Sequence, residues 1–274
     1  MIDRQRALVI ARVSAKRMRG ELRMRALWQS QLTALEREVI RRVRERPPVP
    51  AGRAAGDEPP LGSTPLPDPI DSYLPPTKEF SDRARRMHRE VFRNLVEEFG
   101  GDVIGEIGTH LAFDPGTPNV LRMFAHDDQQ IERSVMKLLD DVRDTLEEGM
   151  NQGETLADVA KRIRATVAAE AKTPERGGTY VRAERIARTE AHTATGFARF
   201  EAFDQAGVEE HEWSTSHDEF VRDSHDDMEG ETVVVGEPFS NGCKFPGDPA
   251  GGPSESINCR CINLPKVGAM AEAA

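Results

Sequence analysis

The chain has 274 residues, of which 38% are hydrophobic, 5% aromatic and 31% charged, with a net charge of −10. That length can bury a real core, but the composition suits a mostly helical protein with much solvated or partner-bound surface better than a compact, aromatic-rich enzyme. No apolar run reaches the roughly 18–20 residues that a bilayer span needs, and the three cysteines, Cys243, Cys259 and Cys261, are too few and too clustered for a secreted disulfide framework.

The first 46 residues hold thirteen Lys/Arg against five Asp/Glu, so a basic start precedes an acidic body. Trp28, Leu32, Leu35, Val39, Ile40 and Val43 recur at steps of three and four, which predicts a helix from about Arg4 to Arg46, with Gly20 as an interruption. So narrow a stripe reads as a helix that packs on a partner. Arg12, Lys16, Arg17, Arg19, Arg23, Arg25, Arg41, Arg42 and Arg44 would give this arm its charge, for DNA phosphates or for an acidic protein. A solvated basic helix uses the same residues.

Between Pro47 and Pro76 the composition turns to Pro, Gly, Asp and Ser, which cannot continue a helix and favours extended chain, hence a linker. Helical spacing returns at Phe80, Ala84, Met87, Val91 and Leu95, with Gly100-Gly101 as its stop. A further helix runs through Ile131, Val135, Leu138, Val142, Leu146 and Met150 to Gly153, and Thr155 with Asp158 forms a capping box for one through Val159, Ile163 and Val167. Three helices packed together are the economical arrangement.

After the Pro174–Gly178 break, Thr179 opens a helix to Gly207 with the stripe Ala183, Ile186, Ala187, Ala194 and Phe197. Beyond it, Glu210–Ser214, Thr232–Val235 and Cys259–Leu264 read as short strands among long loops. The expected fold is therefore α+β and mostly helical. It comprises a basic helical arm (1–46), a Pro-rich linker (47–76), a helical region (77–178), a small α+β C-terminal domain (179–266) and a flexible tail (267–274).

Three constellations could carry chemistry. Glu190 falls on the apolar stripe of its helix, and a carboxylate aimed inward needs a partner, for which Arg222 or Arg260 fits better than Arg188. His225 with Cys243, Cys259 and Cys261 supplies the ligand types of a zinc site, although Cys-x-Cys on a strand would send its two thiols to opposite faces. His217, Asp218, Asp223, His225, Asp226 and Asp227 offer the ligands of a hydrolytic metal site, which keeps a metal-dependent nuclease as the alternative, but a solvated loop uses the same letters. There is no phosphate-binding glycine loop, nucleophile elbow or dinucleotide fingerprint.

The segments Arg185–Glu190, Trp213, Asp218–His225, Gly230, Phe239, Pro246–Pro249 and Asn258-Cys259-Arg260-Cys261, in this order, resemble the C-terminal domain of the Mu F-like phage head morphogenesis family over about residues 125–265. The resemblance implies a non-enzymatic minor virion component at the portal vertex, made in the host cytoplasm. Its partners would be the portal and other head proteins, with phage DNA reached through the basic arm and no membrane. Relatives often carry Cys-x-x-Cys where this chain has Arg222-Asp-Ser-His225, and a His before the final Cys-Arg-Cys, so a zinc cofactor is less well supplied here. Arg188, Glu190, Asp218, Arg222, His225, Asn258, Cys259, Arg260 and Cys261 are then expected to clasp the domain together or to form its docking face.

Overall fold

The computed structural model describes residues 4–45, 70–152, 154–168 and 181–266. Most of the Pro-rich linker, the Pro174–Gly178 break, the Thr179 cap, Gly153 and the tail from 267 lie outside the described residues. Within them the chain is mostly helical, with a small antiparallel sheet near its end. It divides into two compact units. One takes Met1–Arg25, Arg89–His126 and Arg185–Ala274, and the other Ala26–His88 and Asp127–Glu184.

The second unit is a helical bundle. The later part of α1 (Arg4–Glu45) buries Trp28, Leu32, Leu35, Val39 and Val43, the start of α2 (Thr77–Ile107) buries Phe80 and Ala84, and α3 (Pro118–Asn151) buries Ile131, Val135, Leu138, Val142 and Leu146. Packed against α3, α4 (Leu156–Ala168) places Val159, Ile163 and Val167 in the interior. Its capping box forms as expected: Thr155 Oγ1 accepts from the Asp158 N–H at 3.2 Å and donates to the Asp158 carboxylate at 2.6 Å. A polar relay lies inside this unit, where the Trp28 indole donates to His88 Nδ1 at 3.3 Å and His88 Nε2 meets Asp127 at 3.0 Å. The indole fixes Nδ1 as acceptor, so the ring proton sits on Nε2 and faces the carboxylate.

Two readings are corrected here. The Pro-rich stretch does not stay extended to Pro76: Ile70–Tyr73 forms a 3₁₀ turn with Tyr73 and Leu74 buried, and Arg42 holds the Ser72 and Leu74 carbonyls at 3.2 and 2.8 Å. Nor is the α1 stripe kept for a partner, because Trp28, Leu32, Leu35, Val39 and Val43 are buried within the chain itself.

In the first unit, Gly20 does not interrupt α1 and Gly100-Gly101 does not stop α2. Both helices run through, and the glycines serve close approach instead. A Cβ on Gly20 would lie 2.5 Å from Leu95, and one on Gly100 2.5 Å from the Phe113 ring. The stop of α2 is Gly108, at φ +76°.

The centre of this unit is α5 (Val181–Gln205), buried on every side from 191 to 203. Alanines at 187, 191, 194, 198 and 202 let neighbours close in, and each buried polar side chain has a partner. Thr193 donates to the Gly247 carbonyl at 2.9 Å, Thr195 to the Ala191 carbonyl at 2.7 Å, and Glu201 accepts from Thr117 at 2.7 Å. Arg199 donates to the Asn263 carbonyl at 2.9 Å and pairs with Glu106 at 3.3 Å. Gly196 admits the 245–248 loop, since a Cβ there would sit 2.2 Å from the Pro246 carbonyl oxygen.

After Gly207, at φ +69°, β1 (Glu210–Ser214) pairs antiparallel with β2 (Thr232–Val234) on one side and β3 (Ile262–Lys266) on the other, in the order β2-β1-β3. The third strand starts later than expected. Cys259 and Cys261 therefore lie on the loop before it, and pleat alternation does not separate their thiols. Within β1, His211 is fully buried among the rings of Phe200, Phe203 and Phe239, at 5.9, 6.1 and 4.8 Å between centroids.

Candidate functional site

Trp213, Met228, Phe239, Cys243, Cys259 and Cys261 form one buried apolar cluster in the first unit, and His225 is set into it. A short helix, α6 (Asp223–Asp226), presents His225, whose ring meets Trp213 edge-on at 5.1 Å. His225 Nδ1 lies 3.5 Å from Cys261 Sγ and 3.7 Å from Cys259 Sγ. On its other side, His225 Nε2 meets Glu255 at 2.9 Å, and Asn241 donates to the same carboxylate oxygen at 3.1 Å. Glu255 comes from α7 (Pro253–Ser256), the second short helix of this region.

Two groups reach the thiols from α1 and α5. Arg17 donates to His192 Nδ1 and to the Arg260 carbonyl, both at 3.0 Å, and His192 faces Cys259. A Cβ on Gly247 would lie 2.5 Å from the His192 ring, so the loop there must be glycine to close over it.

The electrostatics follow from these contacts. Cys259 is held well below the usual thiol range, first by its hydrogen bond with Cys261 and then by the His192 and His225 rings, while Cys261, the donor of that bond, is raised. Burial works to lower His225, but its bonds to Cys259 and Glu255 outweigh burial and raise it. Desolvation lowers both Arg17 and His192. Cys243 is pushed up to about 12, chiefly by burial.

The other expected site residues gather around this centre. Arg260 pairs with Asp218 at 2.6 Å and lies over the exposed Phe220 ring at 4.8 Å. Arg222 donates to the Ile257 carbonyl. The two arginines expected to neutralise Glu190 are thus engaged elsewhere, and Glu190 itself is half-buried. Arg188 pairs with Glu21 of α1 at 3.3 Å. Asn258 adopts φ +58°, a left-handed conformation that asparagine tolerates, and its N–H points to Thr189 Oγ1 at 3.4 Å.

Other residues separate from the centre. Cys243 shares the apolar cluster, but its thiol faces the Asp248 carbonyl at 3.9 Å, and it is not among the ligand atoms that converge with His225, Cys259 and Cys261. Asp223, Asp226, Asp227 and His217 are exposed, and none joins His225 in a ligand cluster among the described residues. That counts against a hydrolytic metal site. The basic residues of α1 also divide: Arg17 is half-buried beside the thiols, Lys16 pairs with Glu98 at 3.2 Å, Arg23 with Glu98 at 3.9 Å, and Arg41 and Arg42 with Glu38 at 2.8 and 2.6 Å. Arg12, Arg19 and Arg44 are exposed, and Arg25 is half-buried.

The residues whose order marked the resemblance are therefore the ones that build this cluster and its flanks. Residues 140–264 match the Phage Mu protein F like family. The matched region takes in α4, α5, all of the sheet but the end of β3, and the whole His–Cys cluster, while Arg17 and Glu21 come from α1, outside it. An uncharacterized protein of Haemophilus influenzae is 28% identical over 179 residues, covering 65% of this chain and 35% of that protein. A protein of Enterococcus faecalis named NAD(+)--arginine ADP-ribosyltransferase EFV is 28% identical over 138 residues, covering 47% of this chain and 26% of its own length. The matches thus span about a third and a quarter of these relatives. No solved structure matches.

Sequence reasoning missed His192, Arg17, Glu255 and Asn241 as members of the cluster. A helix buried on all sides has no single stripe to flag His192, and the arginine of a basic segment carries no mark of burial. Glu255, one helical turn before the Cys-Arg-Cys run, was the most accessible signal.

Proposed function

We propose that this chain is a phage minor head protein that associates with the portal during prohead assembly, with an accessory part in DNA packaging or delivery. The observation that carries the reading is the Mu F-like match over residues 140–264, whose markers Trp213, Phe239, Cys259 and Cys261 pack into one buried cluster around His225. A domain clasped by buried polar groups, with Arg260 and Phe220 at its surface, suits a structural and docking role. Among the described residues no helix is long and apolar enough to cross a membrane.

The exposed face of α1 supports a protein partner over DNA. Leu8, Met18 and Leu22 are 62%, 62% and 46% exposed, and with the exposed Ala11 and Ala15 they recur at alternating steps of four and three. This is the spacing of a coiled-coil seam, flanked by Arg12 and Arg19. An amphipathic helix with acidic flanks fits it, and phosphate backbone does not need the apolar residues.

The nuclease alternative is disfavoured by His225, which is buried and shared between Glu255 and two thiols, apart from the exposed aspartates. The transferase activity in the name of the E. faecalis protein is not carried over, because the shared stretch is about a quarter of that protein.

Co-expression with the portal protein of the same virus tests the reading. The two should co-elute on size exclusion, and Leu8→Glu with Met18→Glu should weaken the association at least tenfold without unfolding the chain. Separate elution at micromolar concentrations overturns portal association.

A further inference from the structure

We propose that His225, Cys259 and Cys261 bind one zinc(II) ion, with water in its fourth position. The three potential ligand atoms all lie within 4.8 Å of one another, and all three residues are buried. The separations of His225 Nδ1 from Cys261 and Cys259 Sγ, 3.5 and 3.7 Å, can be set against a tetrahedral zinc. Zn–N near 2.0–2.1 Å and Zn–S near 2.3 Å give an N···S edge of about 3.6 Å. The cluster already has the spacing of a coordination shell.

The surroundings favour a ligand trio over a set of neutral, hydrogen-bonded side chains. Glu255 accepts from His225 Nε2, which fixes the tautomer with its lone pair on Nδ1, the nitrogen that faces both sulfurs. This is the carboxylate–histidine arrangement that orients metal-ligating imidazoles, and Asn241 holds the carboxylate in turn. His192 supplies a second and independent observation. Arg17 can only donate, so His192 Nδ1 accepts and the ring proton must be on Nε2. That nitrogen is buried without a hydrogen-bond partner, and the ring faces Cys259. A ring nitrogen that carries its proton cannot bind metal, so His192 stands beside Cys259 as a group outside the ligand trio. Arg17 adds positive charge close to the two thiols, which favours their deprotonation.

Cys243 is left out on geometry. Its Sγ is packed so closely on Gly251 that a Cβ there would lie 2.2 Å away, and it is outside the converging set. The assignment thus has three protein ligands and departs from a four-ligand site that includes Cys243.

The test uses the full-length, untagged chain purified with zinc and dialysed into metal-free buffer. Plasma mass spectrometry should find one zinc per chain in wild type and in Cys243→Ser, and less than a tenth of that in Cys261→Ser. Cobalt(II) in place of zinc should give thiolate-to-metal charge-transfer bands that Cys261→Ser lacks. Glu255→Gln, whose side chain reaches the surface, should keep its circular dichroism and lose about 10–100-fold in zinc affinity against a chromophoric chelator. Should Cys261→Ser fail to fold, Glu255→Gln decides. Absence of zinc from folded wild type, loss of zinc from folded Cys243→Ser, or unchanged affinity in Glu255→Gln overturns the proposal.

Discussion

Arg199→Ala should lower the unfolding free energy by about 3–5 kcal/mol in urea titrations at neutral pH, the usual cost of breaking a buried ion pair from one side. Arg199 is almost fully buried on α5, where burial lowers its pKa against the opposing pull of Glu106. Its guanidinium joins three elements: it sits on α5, donates to Asn263 of β3, pairs with Glu106 of α2, and lies over the Phe203 ring at 5.5 Å. Truncation leaves Glu106 without its counter-charge and the Asn263 carbonyl without a donor, and it opens a cavity beside Phe203. The double variant Arg199→Met with Glu106→Leu should recover at least half of the loss, because apolar residues of similar volume remove both desolvated charges together. A single-variant loss below about 1 kcal/mol would show that the pair is solvated in solution.

His211→Leu should abolish a loss of stability on acidification worth about 3 kcal/mol. Burial among three phenylalanines depresses His211 from 6.5 to about 4, and neither ring nitrogen has a hydrogen-bond partner among the described residues. The folded state therefore keeps the ring neutral while the unfolded chain takes up a proton below pH 6.5. Between pH 6.5 and about 4 the unfolded state binds more protons, so this contribution is fully present above 6.5 and is lost as the pH falls toward 4. Urea midpoints at pH 7 and pH 4.5 should diverge more in wild type than in His211→Leu. At pH 7 the variant should be no less stable, since it buries no unsatisfied nitrogen. Equal acid sensitivity in both proteins would place the relevant titration elsewhere.

The long elements were legible because they obey a single period. The stripe from Trp28 to Val43 and that from Ile131 to Leu146 each face one core, and Thr155-x-x-Asp158 marks a helix start through local chemistry alone. Glycines misled where their role is tertiary. Gly20 and Gly100 read as breaks, yet each sits inside a helix at a point of contact with Leu95 or Phe113, and nothing local distinguishes those uses. The site was half legible. Asn258-Cys259-Arg260-Cys261 and His225 announced themselves by composition and order, but Arg17 lies 175 residues before His192 and sits in a segment whose charge pattern reads as solvated. Cys-x-Cys on a strand would have split the two thiols. The later start of β3 leaves them on a loop, where both can face His225.

The proposal that the chain is built into a phage head is tested most directly by quantitative mass spectrometry of proheads and mature particles purified from cells that express it. The chain should be present in both, at a small fixed number of copies for each portal ring. Its absence from particles purified from cells that express it would contradict the claim.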